Sequence, residues 1–400
     1  MRTFKALPFL LCIALLTPFL SSTGASAEAP SSFSFTGSGY GHGVGMSQIG
    51  AKARALTGES ATAILNYYYK DVQVAPIVDT QTIRVNIGRT LKSISFVSPT
   101  PDSMIQIFSG DIAGAQDVLP ILTLGAKKKI AFSVDGAFAV AEGLRAKAFT
   151  IRWSGPATVI TFSQPGSAVK YKYGQIQVKV VKGAMEVTNT LALRDEYLWG
   201  ISEVPSSWPA AALDAQVIAS RSYAISKLGK INSACDCQVY SHIADQNFVG
   251  FSKESEPRFG HLWKAAVTRT IIDTTTSLAI LSNGKPIQAY FFSSSGGATQ
   301  TTLDAWGQAT SYTQSVLDPA GLDPKNNPRF ATWSASADQA LVAKAFLLAD
   351  IVTLEIMSRN TAGAVTYIKG TASDGSTKLL RGDTFRSRVK IPSPYFNLAG

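Results

Sequence analysis

The chain has 400 residues, of which 46% are hydrophobic and 16% are charged, and its formal net charge is +10 at pH 7. This composition is ordinary for a globular protein, and the length suffices for roughly two or three packed units or for one elaborated domain. The basic residues are scattered and no nucleic-acid motif occurs, so the charge favours anionic wall polymers or lipid headgroups and excludes nucleic acid as the expected partner.

The N-terminal 27 residues have the pattern of a secretory signal peptide. Arg2 and Lys5 precede an apolar block at residues 6–20, and the small residues at 25–27 predict cleavage after Ala27. Cleavage would remove Cys12 and lower the net charge from +10 to +8, because two basic residues and no acidic ones are lost. No later segment is apolar over the length needed to cross a bilayer. The sequence therefore predicts a soluble exported protein, either secreted or associated with the cell wall.

Residues 28–75 are predicted to form a glycine-rich loop and short helices that belong to the core. Glycine occupies positions 37, 39, 41, 43, 45 and 50, and this density allows the backbone to approach a ligand or another segment closely. Apolar residues then recur at helical spacing over residues 51–69 on either side of Gly58, which predicts two short helices.

Residues 76–185 are predicted to form an antiparallel β-rich module. Apolar and polar residues alternate at 83–87, 105–107, 149–153 and 176–180, and turn-forming residues separate these runs. Strands with one polar face need no ligand, so the module is expected to pack rather than to bind sugar. A sugar-binding aromatic patch formed by Trp153, Tyr171 and Tyr173 is the alternative.

Residues 186–400 are predicted to form a mixed α/β core. Helical patterns occur near 210–228, 260–270 and 337–348, strand patterns near 277–281 and 286–292, and further strands are expected up to the end. The predicted fold class is α+β: a mixed α/β core with an antiparallel β-rich module.

Glu203 is the candidate proton-transfer group of this core. The apolar residues Val204, Trp208 and Pro209 follow it, and water-poor surroundings of this kind would raise the pKa of its carboxyl. The alternative is a carboxylate near the start of a helix that the helix dipole stabilises. Asp195 and Glu196 are rival acids, but they precede a predicted strand and are expected to be exposed turn residues.

Five segments together resemble the SpoIID/LytB family of secreted bacterial proteins that act on peptidoglycan. They are Gly-His-Gly-Val-Gly-Met-Ser-Gln (41–48), Leu-Arg-Asp-Glu-Tyr-Leu-Trp-Gly-Ile-Ser-Glu-Val-Pro (193–205), Ala-Gln-Val-Ile-Ala-Ser-Arg-Ser-Tyr (215–223), Cys-Gln-Val-Tyr (237–240) and Tyr-Phe-Phe-Ser-Ser-Ser-Gly-Gly (290–297). Residues 83–88 and 380–386 are similar to outer strands of the family. The Gly-His-Gly loop precedes the glutamate segment here and follows it in the family, so proximity of His42 to Glu203 is a prediction.

The resemblance implies a lytic transglycosylase, which cleaves the β-1,4 bond between N-acetylmuramic acid and N-acetylglucosamine in glycan strands and leaves a 1,6-anhydro end. Hydrolytic glycosidases generally use two carboxylates. A transglycosylase can use one, because the 6-hydroxyl of the sugar is the nucleophile and the same acid donates and then accepts a proton. The family's catalytic glutamate occupies the Glu-x-Pro position, which is Glu203 here. The LytB side of the resemblance implies the alternative, a wall-binding protein that enhances an amidase without cutting anything itself.

The resemblance also implies residues that bind substrate around Glu203. They are His42, Ser47, Gln48, Arg221, Tyr223, Ser294, Ser295, Gly296 and Gly297. The alternative for the loop is that His42 only packs, and the alternative for Arg221 is a cation that supports the core. Residues 293–297 lack the Gly-x-Ser-x-Gly pattern, which argues against a serine hydrolase.

Some members of the family bind zinc through cysteine and histidine, and Cys235, Cys237 and His242 are the weak candidates for such ligands here. His261 is a possible fourth. The Cys-x-Cys spacing is poor for a rigid metal site, and the pair can equally form a disulfide or remain as free thiols. We therefore expect no cofactor, and zinc is not favoured.

Overall fold

A computed structural model of the protein describes residues 29–115, 117–155 and 157–399. The signal peptide predicted over residues 1–27 lies outside this part of the chain. Helices and several β-sheets are both present, which confirms the predicted α+β class. In the described part, no helix has the length and apolar character required to span a membrane.

The N-terminal segment contains a glycine-rich loop and two short helices, as predicted. Its elements are β1 (Ser32–Gly37), β2 (Met46–Ser47), α1 (Gln48–Leu56), α2 (Ala61–Tyr68) and β3 (Gln73–Val78). Ser47 and Ser60 each cap one helix, because their hydroxyl oxygens accept hydrogen bonds from first-turn amides. Gly58 separates the helices with a φ of 92°, in the left-handed region that favours glycine.

The β-rich region contains the four predicted strands and several more. Its strands are β4 (Thr82–Leu91), β5 (Ser93–Val97), β6 (Met104–Ser109), β7 (Leu122–Gly125), β8 (Lys129–Asp135), β9 (Phe138–Ala141), β10 (Leu144–Ala146), β11 (Ala148–Ser154), β12 (Ile160–Gln164), β13 (Ser167–Tyr171), β14 (Gln175–Val181) and β15 (Ala184–Ala192). The alternation noted in the sequence corresponds to β4, β6, β11 and β14. In β4, β11 and β14 the polar face is buried as well, since Asn86, Thr150 and Gln177 are at most 1% exposed.

Two sheets form this region. One has six strands in the order β10-β9-β8-β5-β12-β13, and the other has seven in the order β16-β4-β15-β14-β11-β6-β7, in which β16 (Val239–Tyr240) comes from later in the chain. Phe132 of the first sheet and Phe149 of the second pack with ring centroids 5.4 Å apart. The predicted boundary at residue 185 lies within β15, which pairs with both β14 and β4.

The following part is built around one long buried helix. Its elements are a π-helical turn (Leu193–Tyr197), α3 (Ala210–Lys227), α4 (Phe251–Glu254), α5 (Gly260–Arg269), β17 (Thr276–Ser282), β18 (Lys285–Pro286), β19 (Phe291–Phe292), β20 (Gly297–Ala298), α6 (Thr302–Trp306) and β21 (Leu317–Asp318). On one side of α3, Leu213 and Val217 join the core of the β-rich region, and on another Ala215 and Ile218 join a cluster with α2. This helix also buries the polar side chains of Gln216, Ser220 and Arg221, whose hydrogen bonds lie within the protein.

The C-terminal part brings both ends of the described chain into one sheet. Its elements are a 3-10 turn (Pro319–Leu322), β22 (Trp333–Asp338), α7 (Gln339–Phe346), β23 (Thr353–Arg359), β24 (Val365–Thr371), β25 (Thr377–Arg381), α8 (Gly382–Val389) and β26 (Phe396–Ala399). Strand β1 lies between β22 and β26 and is antiparallel to both.

Two sequence predictions in the C-terminal half were wrong. Residues 286–292 do not form one strand, because β18 and β19 are separate short elements. Strands alone were expected near the end, but α8 lies between β25 and β26. Phe385 and Val389 are the only large apolar residues that α8 buries, so its sequence carries too little helical periodicity to be recognised.

Candidate functional site

Glu203 lies in the loop that leads into α3, and its carboxyl is only partly exposed. The amide of Asn247 donates a hydrogen bond of 2.6 Å to Glu203 Oε1. Burial raises the pKa of the Glu203 carboxyl, although the Asn247 hydrogen bond and the positive charge of Lys253 act in the opposite direction. The predicted rise is therefore confirmed, and the group keeps its proton to higher pH than an exposed glutamate does.

A cavity of about 600 Å³ lies beside Glu203. Ser202, the residue before Glu203, and Asn247, its hydrogen-bond donor, both line this cavity, and Gln164 and Tyr171 of the β-rich region form part of another wall. Its volume is within the range of small-ligand sites. Glu203 is not itself a lining residue; its neighbours Ser202 and Asn247 connect it to this concavity between α4 and the strands β12 and β13.

Lys253 and Glu256 also line this cavity, and the sequence analysis missed both. Lys253 is 5% exposed, its Nζ donates a hydrogen bond of 2.6 Å to the carbonyl oxygen of Val204, and burial lowers its pKa. Glu256 Oε2 accepts a hydrogen bond of 2.8 Å from Ser206. Lys253 therefore holds the backbone next to Glu203 and supplies the positive charge that acts on its carboxyl.

The two rival acids are less exposed than the sequence predicts. Asp195 and Glu196 belong to the π-helical turn and are half-buried rather than exposed. Glu196 Oε2 accepts a hydrogen bond of 2.9 Å from the amide of Ala192, and burial raises the pKa of its carboxyl. Glu196 lines a different cavity, of about 750 Å³, together with Trp153.

The Gly-His-Gly loop packs into the core despite its altered position in the chain. Strand β2 pairs in parallel with β19, and Tyr40 forms a bridge with Ser294. His42 lines a cavity of about 360 Å³ together with Tyr223. The structure thus brings these two predicted residues together, but around a cavity different from the one beside Glu203.

The other predicted substrate-binding polar residues are committed to contacts within the protein. Ser47 caps α1, Gln48 Nε2 donates to Gln216 Oε1, Ser294 Oγ accepts from Asn327, and Ser295 Oγ donates to Asp318 Oδ2. The four are at most 7% exposed. In this structure they stabilise the fold, and their contact with substrate stays a prediction.

The two glycines of this segment also serve packing. A side chain on Gly296 would collide with the ring of Tyr395, and Gly297 has a φ of 113°. A larger residue at either position would be strained or would displace the Tyr395 side chain.

Arg221 is a buried cation that supports the core, which was the structural alternative. Its side chain is fully buried, and its Nε lies 3.0 Å from Asp79 Oδ2. Its Nη1 donates to Thr270 Oγ1 and to the carbonyl oxygen of Leu278. The helix α3 is thereby fixed to α5 and β17.

Cys235 and Cys237 form a disulfide bond, so neither sulfur is a thiolate ligand in this structure. Asp236 between them forms ion pairs with Arg84 and Lys179 that fix the segment to the seven-stranded sheet. Within the described residues, no cluster of three or more His, Cys, Asp or Glu side chains is arranged to hold a metal ion.

Comparison with known proteins matches residues 181–276 to the SpoIID family, described as Stage II sporulation protein. The chain is 24% identical over 226 residues to Stage II sporulation protein D of Bacillus subtilis (strain 168), covering 54% of this chain and 62% of that protein. It is 26% identical over 242 residues to Stage II sporulation protein D of Bacillus amyloliquefaciens, covering 58% of this chain and 67% of that protein. It is 49% identical over 112 residues to the Amidase enhancer of Bacillus subtilis (strain 168), covering 28% of this chain and 13% of that protein. No solved structure matches the chain.

Glu203, Arg221 and the cystine all lie within the segment that matches the SpoIID family. The match confirms the resemblance to the SpoIID/LytB family that the motifs predict. The matched region spans less than two thirds of the Bacillus subtilis sporulation protein.

Proposed function

We propose that the protein is an exported, wall-associated lytic transglycosylase that cleaves the N-acetylmuramic acid to N-acetylglucosamine β-1,4 bond with Glu203. The observation that carries the proposal is the half-buried Glu203 carboxyl of raised pKa beside a cavity of about 600 Å³. A carboxyl that keeps its proton can serve as a general acid near neutral pH.

In the proposed reaction, protonated Glu203 donates its proton to the glycosidic oxygen while the bond from that oxygen to C1 breaks. The resulting carboxylate then accepts the proton of the C6 hydroxyl as O6 forms a bond to C1. The acid is regenerated and a 1,6-anhydro end results. Asn247 holds Oε1 through its amide, which leaves Oε2 to exchange the proton.

A second candidate function is the enhancement of a cell-wall amidase without cleavage. The identity of 49% to the Amidase enhancer is the observation that favours it. The formal charge of the chain, which is +10 and falls to +8 once the predicted signal peptide is removed, would support retention on anionic wall polymers under either function.

Product analysis separates the possibilities. The full protein is incubated with peptide-free glycan strands and with strands that carry stem peptides, and the products are examined by mass spectrometry. Anhydro-muropeptides support the proposal. Reducing ends without anhydro groups would instead indicate hydrolysis. Intact glycan together with faster release of stem peptides by an added wall amidase would establish the enhancer function.

Lys253→Met is expected to shift the pH dependence of cleavage. Lys253 lowers the pKa of Glu203, so removal of its charge should raise that pKa further. Because the general acid must be protonated in the free enzyme, the alkaline limb of kcat/KM should move to higher pH. Lys253→Arg keeps the charge and should keep the limb in place. An unchanged limb in well-folded Lys253→Met would show that Lys253 does not act on the catalytic proton.

A further inference from the structure

The cavity beside His42 has the lining of a saccharide site rather than of a core void. Its volume is about 360 Å³, and besides His42 its aromatic residues are Tyr223, Tyr290, Phe291 and Trp306. Tyr290 and Trp306 are partly exposed, with ring centroids 4.8 Å apart. Aromatic faces that remain open to solvent at a cavity can stack against the apolar face of a sugar ring, while polar neighbours bind its hydroxyl groups.

The orientation of Trp306 is fixed by the C-terminal part of the chain. Its Nε1 donates a hydrogen bond of 3.0 Å to Asp383 Oδ2, and Arg386 Nε donates to Asp383 Oδ1 at 2.9 Å. Asp383 lies within residues 380–386, which were expected to form an outer strand but run from the end of β25 into α8. The ring of Trp306 is therefore held in place before any ligand binds, which reduces the entropy lost on binding.

The polar groups that line this cavity carry little net charge. Asp245 Oδ1 accepts a hydrogen bond of 2.7 Å from the Tyr223 hydroxyl, and Lys227 Nζ lies 3.6 Å from the same oxygen. Burial lowers the pKa of His42 to about 4, and the amide of Val44 donates to its Nδ1, so the ring is neutral and its proton is on Nε2. A paired lysine and a neutral histidine suit an uncharged sugar better than a phosphate-rich wall polymer.

The same short segment separates this cavity from the one beside Glu203. Asp245 lines the first, whereas Asn247 lines the second and binds the Glu203 carboxyl. Two residues of extended chain span at most about 7 Å. A glycan strand is long enough to contact both sides of the segment at once.

We infer that the cavity lined by Tyr223, Tyr290 and Trp306 is a second glycan subsite, which holds an N-acetylhexosamine unit of the strand whose bond is presented to Glu203. The inference rests on the proposed function. It assigns to the Gly-His-Gly loop and to residues 380–386 the role of building this subsite. Affinity should therefore rise with glycan length once an oligosaccharide spans both cavities.

Binding of peptide-free glycan oligosaccharides of increasing length to the full Glu203→Gln protein tests the inference without turnover. Adding Trp306→Ala should raise Kd for the long oligosaccharides by about tenfold or more, the equivalent of about 1.4 kcal/mol. Short oligosaccharides that reach only the Glu203 cavity should bind unchanged. Circular dichroism reports whether the variant folds.

A second variant avoids any change to the packed rings. Ile243 lines the same cavity and is fully exposed at 101%, so Ile243→Cys coupled to a bulky maleimide should block the cavity without disturbing the core. Leu119→Cys, labelled in the same way, is the matched control. Leu119 is 85% exposed and precedes β7, at the opposite edge of the seven-stranded sheet from β16. Only the label at position 243 should weaken binding.

The outcomes distinguish this inference from the proposed function. If neither Trp306→Ala nor the label at 243 weakens binding while wild-type protein still forms anhydro ends, the second subsite is overturned and the transglycosylase stands. If binding depends on Trp306 and length but no anhydro ends form, the subsite stands and the transglycosylase is overturned. Length-independent binding contradicts the subsite in either case.

Discussion

Replacement of Glu203 by glutamine is expected to lower the rate of glycan cleavage by about 10²–10⁴-fold, the usual contribution of a general acid or base. Glutamine has the same shape, and its Oε1 can still accept the hydrogen bond from the Asn247 amide. It can neither donate nor accept the catalytic proton. Formation of anhydro ends on peptide-free strands, followed by mass spectrometry, measures the loss, and retained glycan binding shows that the cavity is intact.

Glu196→Gln is the matched control for this experiment. Burial raises the pKa of Glu196, as it does that of Glu203, but Glu196 lines another cavity. We expect its substitution to leave the cleavage rate within about threefold, a change in barrier of less than about 1 kcal/mol. A loss in Glu196→Gln equal to that in Glu203→Gln would contradict the assignment of the acid, as would full activity of Glu203→Gln.

The largest expected effect on stability is that of Arg221→Met, which should lower the free energy of unfolding by about 3–5 kcal/mol because it leaves a buried carboxylate without its partner. Arg221 and Asp79 have fully buried side chains. Burial raises the pKa of Asp79 and lowers the pKa of Arg221 to about 10, so each charge depends on the other. Urea denaturation followed by circular dichroism measures the change.

The double variant Asp79→Leu/Arg221→Met separates a role in stability from a role in positioning. Replacement of both charges by apolar side chains should recover much of the lost stability, because no unpaired charge remains. If Arg221 only supports the core, glycan cleavage should return with stability. Continued loss of cleavage in a stable double variant would instead show that the buried guanidinium is needed to position α3 and the loop that carries Glu203.

The elements that sequence could predict are those whose own residues carry the pattern. The alternation in β4, β11 and β14 and the apolar run of α3 each require only local periodicity. The rise in the pKa of Glu203 could also be predicted from neighbouring residues, because the apolar residues that follow it in sequence already indicate water-poor surroundings.

The parts that could not be predicted depend on contacts between distant segments. Ser294 and Ser295 look like exposed groove residues until Asn327 and Asp318 are seen to bind them. Lys253 belongs to a short helix without a motif, and only the fold places it beside Val204. Trp306 acquires a fixed orientation only through Asp383, which is far along the chain.

The pairing of β1 with β26 bears on the altered order of the motifs. Ser34 lies opposite Ala399, so the two ends of the described chain are neighbours in one sheet. Circular permutation is tolerated where termini lie close together. Linking these ends and opening the chain after the glycine-rich loop would move that loop from the beginning to the end, behind the acid, without changing what it packs against. The same packing can therefore be reached with the glycine-rich loop either before or after the acid in the chain.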